Sequence, residues 1–119
     1  MNREAASAHR KRIHALREER DRIEQVLFQA QRLLRGSLIE KYELAGGLKR
    51  TNPAYYLSVP IQGGRRRFHY VSKKDLEQAR RENEAYRNYR KSISRLRVLA
   101  RETLREFSAL GKYLEVSPS

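Results

Sequence analysis

The chain has 119 residues, 39% of them hydrophobic and 34% charged, with 27 Lys and Arg against 14 Asp and Glu for a formal net charge of +13. With no cysteine, disulfides and thiolate metal sites are excluded. The length sets a single domain, residues 1–119, and the composition is too poor in apolar residues for a thick core; it fits long, exposed helices that meet along a thin seam.

The basic residues are spread along the chain and not confined to a tail. A field of this sign favours polyanions, with nucleic acid first and acidic proteins or anionic membranes behind it. No apolar run approaches the roughly 20 residues that span a bilayer. The opening MNREAASAHRKR lacks the apolar core of a secretory signal. A cytoplasmic protein without a membrane partner is therefore expected.

The first predicted element is a long helix over residues 3–44. Ile13, Leu16, Arg20, Ile23, Leu27, Ala30 and Leu34 follow one another in alternating three- and four-residue steps. That is a heptad seam with one charged member, Arg20. Gly36 interrupts it, and is read as a kink, a short break or a point of close backbone approach. Leu38, Ile39, Tyr42 and Leu44 then resume a helical spacing, and Gly46-Gly47 ends it. Glu18 and Arg22, four residues apart, are ordinary surface support. The AHRKR run has no nearby acid and is either a phosphate contact or a frayed basic end.

Residues 45–54, AGGLKRTNPA, read as a loop by their Gly and Asn-Pro content. Lys49 and Arg50 sit there without acidic company. Residues 55–71 read as a two-stranded β-hairpin turning at Gly63-Gly64, where positive φ is needed. In that register Val59 faces Phe68 and Leu57 faces Tyr70. One face then holds Tyr55, Leu57, Val59, Ile61, Phe68 and Tyr70, with Arg66 near the tip. The other holds Tyr56, Ser58, Pro60, Gln62, Arg65, Arg67 and His69. A bare hairpin is marginal in water, so the apolar face is expected to pack on the helices or on another subunit. Arg65, Arg66, Arg67 and His69 become candidates for contact with a groove or with phosphates. The competing reading is an edge ribbon kept soluble by its charge.

A second long helix is predicted over residues 73–113, with a short tail over 114–119. Ser72 and Asp75 make a capping-box pattern at its start. Its seam runs from Tyr86 through Tyr89, Ile93, Leu96, Ala100, Thr103, Phe107 and Leu110. Upstream, Leu76, Ala79, Asn83 and Tyr86 follow the same rule, and a four-residue step is missing at Tyr86–Tyr89. This is a stammer or a change of packing partner. From Tyr86 to Ala100 there are four arginines, one lysine and no acid. Arg87, Lys91 and Arg95 lie at i,i+4 spacing, with Arg90 beside them. Like charges so placed destabilise a lone helix, and a phosphate backbone would relieve them. Pairing with Glu18, Glu19 or Glu24 across the seam is the structural alternative. Tyr86 and Tyr89 read as seam packing before base stacking.

The fold expected is mainly α with a small β element: two long helices forming an antiparallel coiled-coil-like hairpin, with a two-stranded ribbon inserted between them. Such a pair buries little surface, so a homo-oligomer or a place in a larger complex is expected. No catalytic centre is expected. His9, His14 and His69 lack local carboxylate or cysteine partners, and no P-loop, nucleotide fingerprint or serine elbow is present. No cofactor and no metal are expected.

The motifs LRGSL (Leu34 to Leu38), YYLS (Tyr55 to Ser58) and GRRRFHYV (Gly64 to Val71), followed by Leu76, resemble a family of small uncharacterised prokaryotic domains found alone or joined to transposase-like proteins. The resemblance covers about residues 30–95. Members usually carry a zinc-type cysteine cluster before the ribbon, and YELAGGLKRTNP has none, so no metal role carries over. The resemblance implies a nucleic-acid or mobile-element context. The function expected is a small basic nucleic-acid-binding protein, DNA ahead of RNA, in which Arg65, Arg66, Arg67 and His69 probe while Arg87, Arg90, Lys91 and Arg95 track backbone, with Lys49 and Arg50 nearby. The alternative is a coiled-coil adaptor that docks on another protein without touching nucleic acid.

Overall fold

The computed structural model describes residues 2–43 and 46–118. Two helices, α1 (Arg3–Gln29) and α2 (Lys73–Leu114), flank in sequence an antiparallel sheet of β1 (Ser37–Glu43), β2 (Lys49–Pro60) and β3 (Arg66–Val71). The sheet has three strands where the sequence reading expects two. The chain divides into two compact units: Met1–Ala30 with Tyr89–Ser119, and Gln31–Asn88. The register break read at Tyr86–Tyr89 falls where α2 passes from one unit to the other.

In the helical unit, the side-chain oxygen of Asn2 accepts from the Ala5 N–H (3.1 Å) and caps α1. Glu19 pairs with Arg95, and Arg12 pairs with Glu106. Rising numbers on α1 meet falling numbers on α2, so the two run antiparallel. Ala6, Ile13 and Leu110 form one buried cluster. Leu99, 1% exposed, is the most buried large side chain.

The seam differs from the heptad reading at its charged and polar positions. Arg20 is exposed and leans on Asp21 (3.4 Å) and Glu24 (3.6 Å), while Glu19 turns inward to Arg95. On α2, Leu99 replaces Ala100, and half-buried Glu106 replaces Phe107, whose ring is exposed. A straight helix with 3.6 residues per turn drifts against a strict seven-residue repeat, so that counting back from buried Leu110 the inward positions of α2 fall on Glu106 and Leu99.

The helix predicted over 3–44 ends at Gln29. Ala30 is already extended (φ −62°, ψ 137°). The sequence at this point, QAQRLLR, contains good helix formers, so propensity does not end the helix; tertiary partners do. In the second unit the Leu34 N–H donates to the Glu82 carbonyl (3.0 Å), and Arg32 Nε donates to the Glu82 carboxylate (2.7 Å). Asn83 Nδ2 donates to the carbonyls of Leu34 (2.9 Å) and Gly36 (2.7 Å). These bonds hold the segment extended along α2.

Gly36 is not a helix kink. It has φ 117°, and a Cβ there would lie 2.6 Å from the Ser58 carbonyl oxygen. Only glycine lets the chain enter β1 this close to β2. Beyond it, Leu38, Ile39 and Tyr42 stand in a strand, with Leu38 opposite Leu57 and Ile39 opposite Tyr56. Leu44, the end assigned to the first helix, and Ala45, the start of the predicted loop, lie outside the described residues, as does Ser119 of the predicted tail.

The predicted loop over 45–54 is in large part strand, because β2 begins at Lys49. Pro53 falls in the stretch where the β1–β2 register jumps from Lys41↔Ala54 to Glu43↔Lys49. A residue without an N–H is tolerated at such an irregularity.

The ribbon turn also differs. Gln62–Gly64 turn the chain, with Gly63 at φ 76° and Gly64 at φ 71°, both left-handed. The Ile61 N–H donates to the Arg65 carbonyl (2.9 Å) across it. Three residues therefore turn the chain where two were expected, and the register slips by one. Ser58 faces Phe68, Leu57 faces His69 and Tyr56 faces Tyr70. A one-residue slip exchanges the side chains that share a face.

Candidate nucleic-acid interface

Cross-strand partners share a face. The first sheet face carries Leu38, Glu40, Tyr55, Leu57, Val59, Arg67, His69 and Val71. Here Arg80 of α2 lies over the Tyr55 ring, 5.2 Å from its centroid, and Leu57 is buried. The opposite face carries Ile39, Lys41, Tyr56, Ser58, Arg66, Phe68 and Tyr70. On it, Phe68 is 49% and Tyr70 66% exposed.

The rings of that second face are organised. Tyr56 and Tyr70 meet edge to face, with centroids 5.7 Å apart. The Lys41 ammonium stands over Tyr56 and Phe68, 5.4 and 5.2 Å from their centroids. Both distances lie within the range of a cation–π attraction. Beside them Arg66 Nε donates to Ser58 Oγ (2.5 Å), and a terminal nitrogen of Arg66 donates to the Ser58 carbonyl (3.2 Å). This fork covers Ser58, a buried polar residue in the middle of the sheet.

The cations expected on the ribbon are therefore split by the sheet. Arg66 lies on the aromatic face, whereas Arg67 and His69 lie on the other. Arg65 follows the turn and is exposed, as are Arg67 and His69. Lys49 and Arg50, also exposed, stand at the opposite end of β2, well away from the turn. They are not gathered with Arg65, Arg66 and Arg67. The predicted apolar face of Tyr55, Leu57, Val59, Phe68 and Tyr70 does not exist as a unit. Phe68 and Tyr70 instead join Tyr56 and Lys41 on the open side.

On α2, Arg87 is exposed in the sheet-bearing unit. In the helical unit Arg90 and Lys91 are exposed, and neither has a carboxylate partner within 4.0 Å among the described residues. Arg95 is different. Its Nε and a terminal nitrogen donate to the two carboxylate oxygens of Glu19 (2.8 and 2.9 Å). That bidentate pair holds the Glu19 carboxyl below its ordinary range and raises the Arg95 guanidinium further. The cross-seam alternative thus describes Arg95, while Arg90 and Lys91 face solvent.

Glu106 is paired in the same way. His9 Nδ1 shares a hydrogen bond with one carboxylate oxygen, and Arg12 Nε lies 3.1 Å from the other. The His9 bond first, and Arg12 after it, hold this carboxyl below its ordinary range. These pairs remove Arg12 and Arg95 from the set of free cations and occupy His9 Nδ1. Among the described residues no cluster of three or more His, Cys, Asp or Glu is placed to hold a metal. No helix among them is long and apolar enough to cross a membrane.

The aromatic set was hidden by two features of the sequence: β1 carries a helical spacing, and the turn takes three residues. Counting Gln62 into the turn would have placed Phe68 and Tyr70 beside Tyr56. Comparison with protein-family models, with curated proteins and with solved structures gives no match.

Proposed function

We propose that this chain is a small basic nucleic-acid-binding protein, an accessory factor of a mobile element or a related prokaryotic system. The observation that carries the reading is the exposed set of basic side chains left over after internal pairing. Arg65, Arg67 and His69 on the ribbon, and Arg87, Arg90 and Lys91 on α2, are open to solvent in a chain of net charge +13. Such groups meet phosphates and release counterions as they do so. The mobile-element context comes from the resemblance carried by LRGSL, YYLS and GRRRFHYV. Coiled-coil packing between α1 and the later part of α2 belongs to the same proposal, supported by the alternating three- and four-residue steps and by the Glu19–Arg95 pair. Purification under native conditions tests it. Nuclease-sensitive material that leaves the protein as salt is raised is expected. Protein free of nucleic acid that binds neither random DNA nor random RNA at moderate salt would contradict it.

A second reading, an adaptor subunit that docks on another protein, is favoured by one observation. Phe28 near the end of α1 is 93% exposed, and it stands with Asp21, Glu24, Gln25 and Gln29 around a shallow depression. An apolar ring in an acidic setting suits a basic partner carrying an apolar side chain. Phe28→Ser is expected to release such a partner, or a second copy, as a fall in mass measured by light scattering. An unchanged mass at every protein concentration removes this reading.

A further inference from the structure

We infer that the open face of the sheet, built on Tyr56, Phe68 and Tyr70 with Lys41 above them, is a stacking platform for unpaired bases, so that the ligand is single-stranded nucleic acid. The inference rests on the nucleic-acid reading above and narrows it. Large rings are usually buried, and two of these three stand open on the sheet. Phe68 and Tyr70 alternate along β3, so their side chains rise about 6.6 Å apart. That leaves room for one base at each ring. Every base has a π-face, and stacking on aromatic side chains needs no duplex.

The charges on the face select the same ligand. Lys41 Nζ lies over Tyr56 and Phe68 in the free chain, and moves off the Phe68 ring to the adjoining phosphate as a base stacks there. Arg66 adds a second cation on the same side, fixed by its fork on Ser58. A duplex keeps its base faces stacked inside and offers such rings only groove edges and backbone. A protein partner of apolar surface would have to desolvate both cations without pairing them. An unpaired strand supplies a π-face for each ring and a phosphate for each cation.

The test compares the intact chain with Phe68→Ala/Tyr70→Ala and with the ring-preserving Phe68→Tyr/Tyr70→Phe. Both substituted residues are exposed, and circular dichroism checks that each variant is folded. The probes are 20-nucleotide single strands of deoxythymidine and of uridine, and a random 20-base-pair DNA duplex. Binding is followed by anisotropy of a labelled strand, and by quenching of the protein's own tyrosine emission, which no tryptophan obscures. The intact chain is expected to bind one or both single strands more tightly than the duplex. Loss of the rings should weaken single-strand binding roughly five- to a hundred-fold per ring. Duplex binding and the salt slope should stay within about two-fold of the intact chain. The ring-preserving variant should behave as the intact chain. If the alanine variant binds single strands as before, or loses single strand and duplex equally, the platform is overturned while nucleic-acid binding stands. If the intact chain binds no probe at low salt, the broader reading falls and this one with it. If the alanine variant instead halves the mass of an oligomer and binds oligonucleotides unchanged, the face is a protein interface and the platform is overturned.

Discussion

Asn83 holds Gly36 in place: its side-chain amide donates to the Gly36 carbonyl at 2.7 Å and, with its other hydrogen, to Leu34 at 2.9 Å. Asn83 is 3% exposed, and both bonds are partly shielded from water. They secure the segment between α1 and β1, and with it the edge strand that completes the sheet. Asn83→Leu would keep the side-chain volume and leave two carbonyls without this donor. Each unsatisfied buried acceptor costs about 1–3 kcal/mol. A loss of about 2–4 kcal/mol is expected in urea unfolding, with amide exchange of β1 accelerating before that of β2 and β3.

Gly36→Ala tests the same junction from the backbone side. The added methyl would meet the Ser58 carbonyl at 2.6 Å, and the φ of 117° is unsuited to any side chain. Strain of this kind costs about 1–3 kcal/mol. The unfolding midpoint should fall accordingly, and Gly63→Ala, with open space around its Cβ, should cost less.

In the helical unit, Leu99→Ala removes the most buried large side chain. A loss of about 2–5 kcal/mol is expected by the general cost of such truncations. Ala100→Leu, at the exposed position that a strict heptad would bury, should change stability little. Denaturant melts of the two variants distinguish the observed seam from the heptad one.

Glu19 and Glu106 set a pH dependence. Each carboxyl is held below its ordinary value of 4.5, Glu19 by Arg95 and Glu106 by His9 and then Arg12. A depressed folded value means that the unfolded chain takes up the proton first as pH falls. The pairing therefore contributes in full above about pH 4.5 and is lost as pH drops through the lower folded values. Glu19→Gln/Glu106→Gln should lower the urea midpoint at pH 7. The difference from the intact chain should shrink towards zero in strongly acidic solution. Both carboxylates are solvent-accessible, so the effect at pH 7 should be modest and smaller still in 1 M salt.

Much of this fold was legible in the sequence. Ser72 and Asp75 mark the start of α2, although the bond seen runs from Ser72 Oγ to the Asp75 carboxylate (3.0 Å) and not from the side chains to the backbone N–H groups as in a capping box. The α1 seam of Ile13, Leu16, Ile23 and Leu27 faces inward as its spacing indicates. What could not be read was decided by partners distant in sequence. LIEKYE carries a helical spacing and does not alternate, with Glu40 on the same strand face as Leu38, so Gly36, Asn83 and pairing with β2 impose the strand. Gly63-Gly64 marks a turn, but its length depends on whether Gln62 joins it, and that one residue decides which side chains share a face. The cations of the candidate site could be picked out by type. The aromatic face could not, because it exists only in the observed register.

The reading of this chain as a nucleic-acid-binding protein is tested most directly by the salt dependence of binding for the intact chain and for Arg65→Ala/Arg67→Ala. Each arginine taken away from a phosphate should reduce the slope of log K against log salt by about 0.7 for a single strand and 0.9 for a duplex. The expected result is weaker binding with a slope reduced by about 1.4 on a single strand or about 1.8 on a duplex. A folded variant whose affinity and slope equal those of the intact chain would take the ribbon out of the interface, and an intact chain that binds neither form would end the nucleic-acid reading.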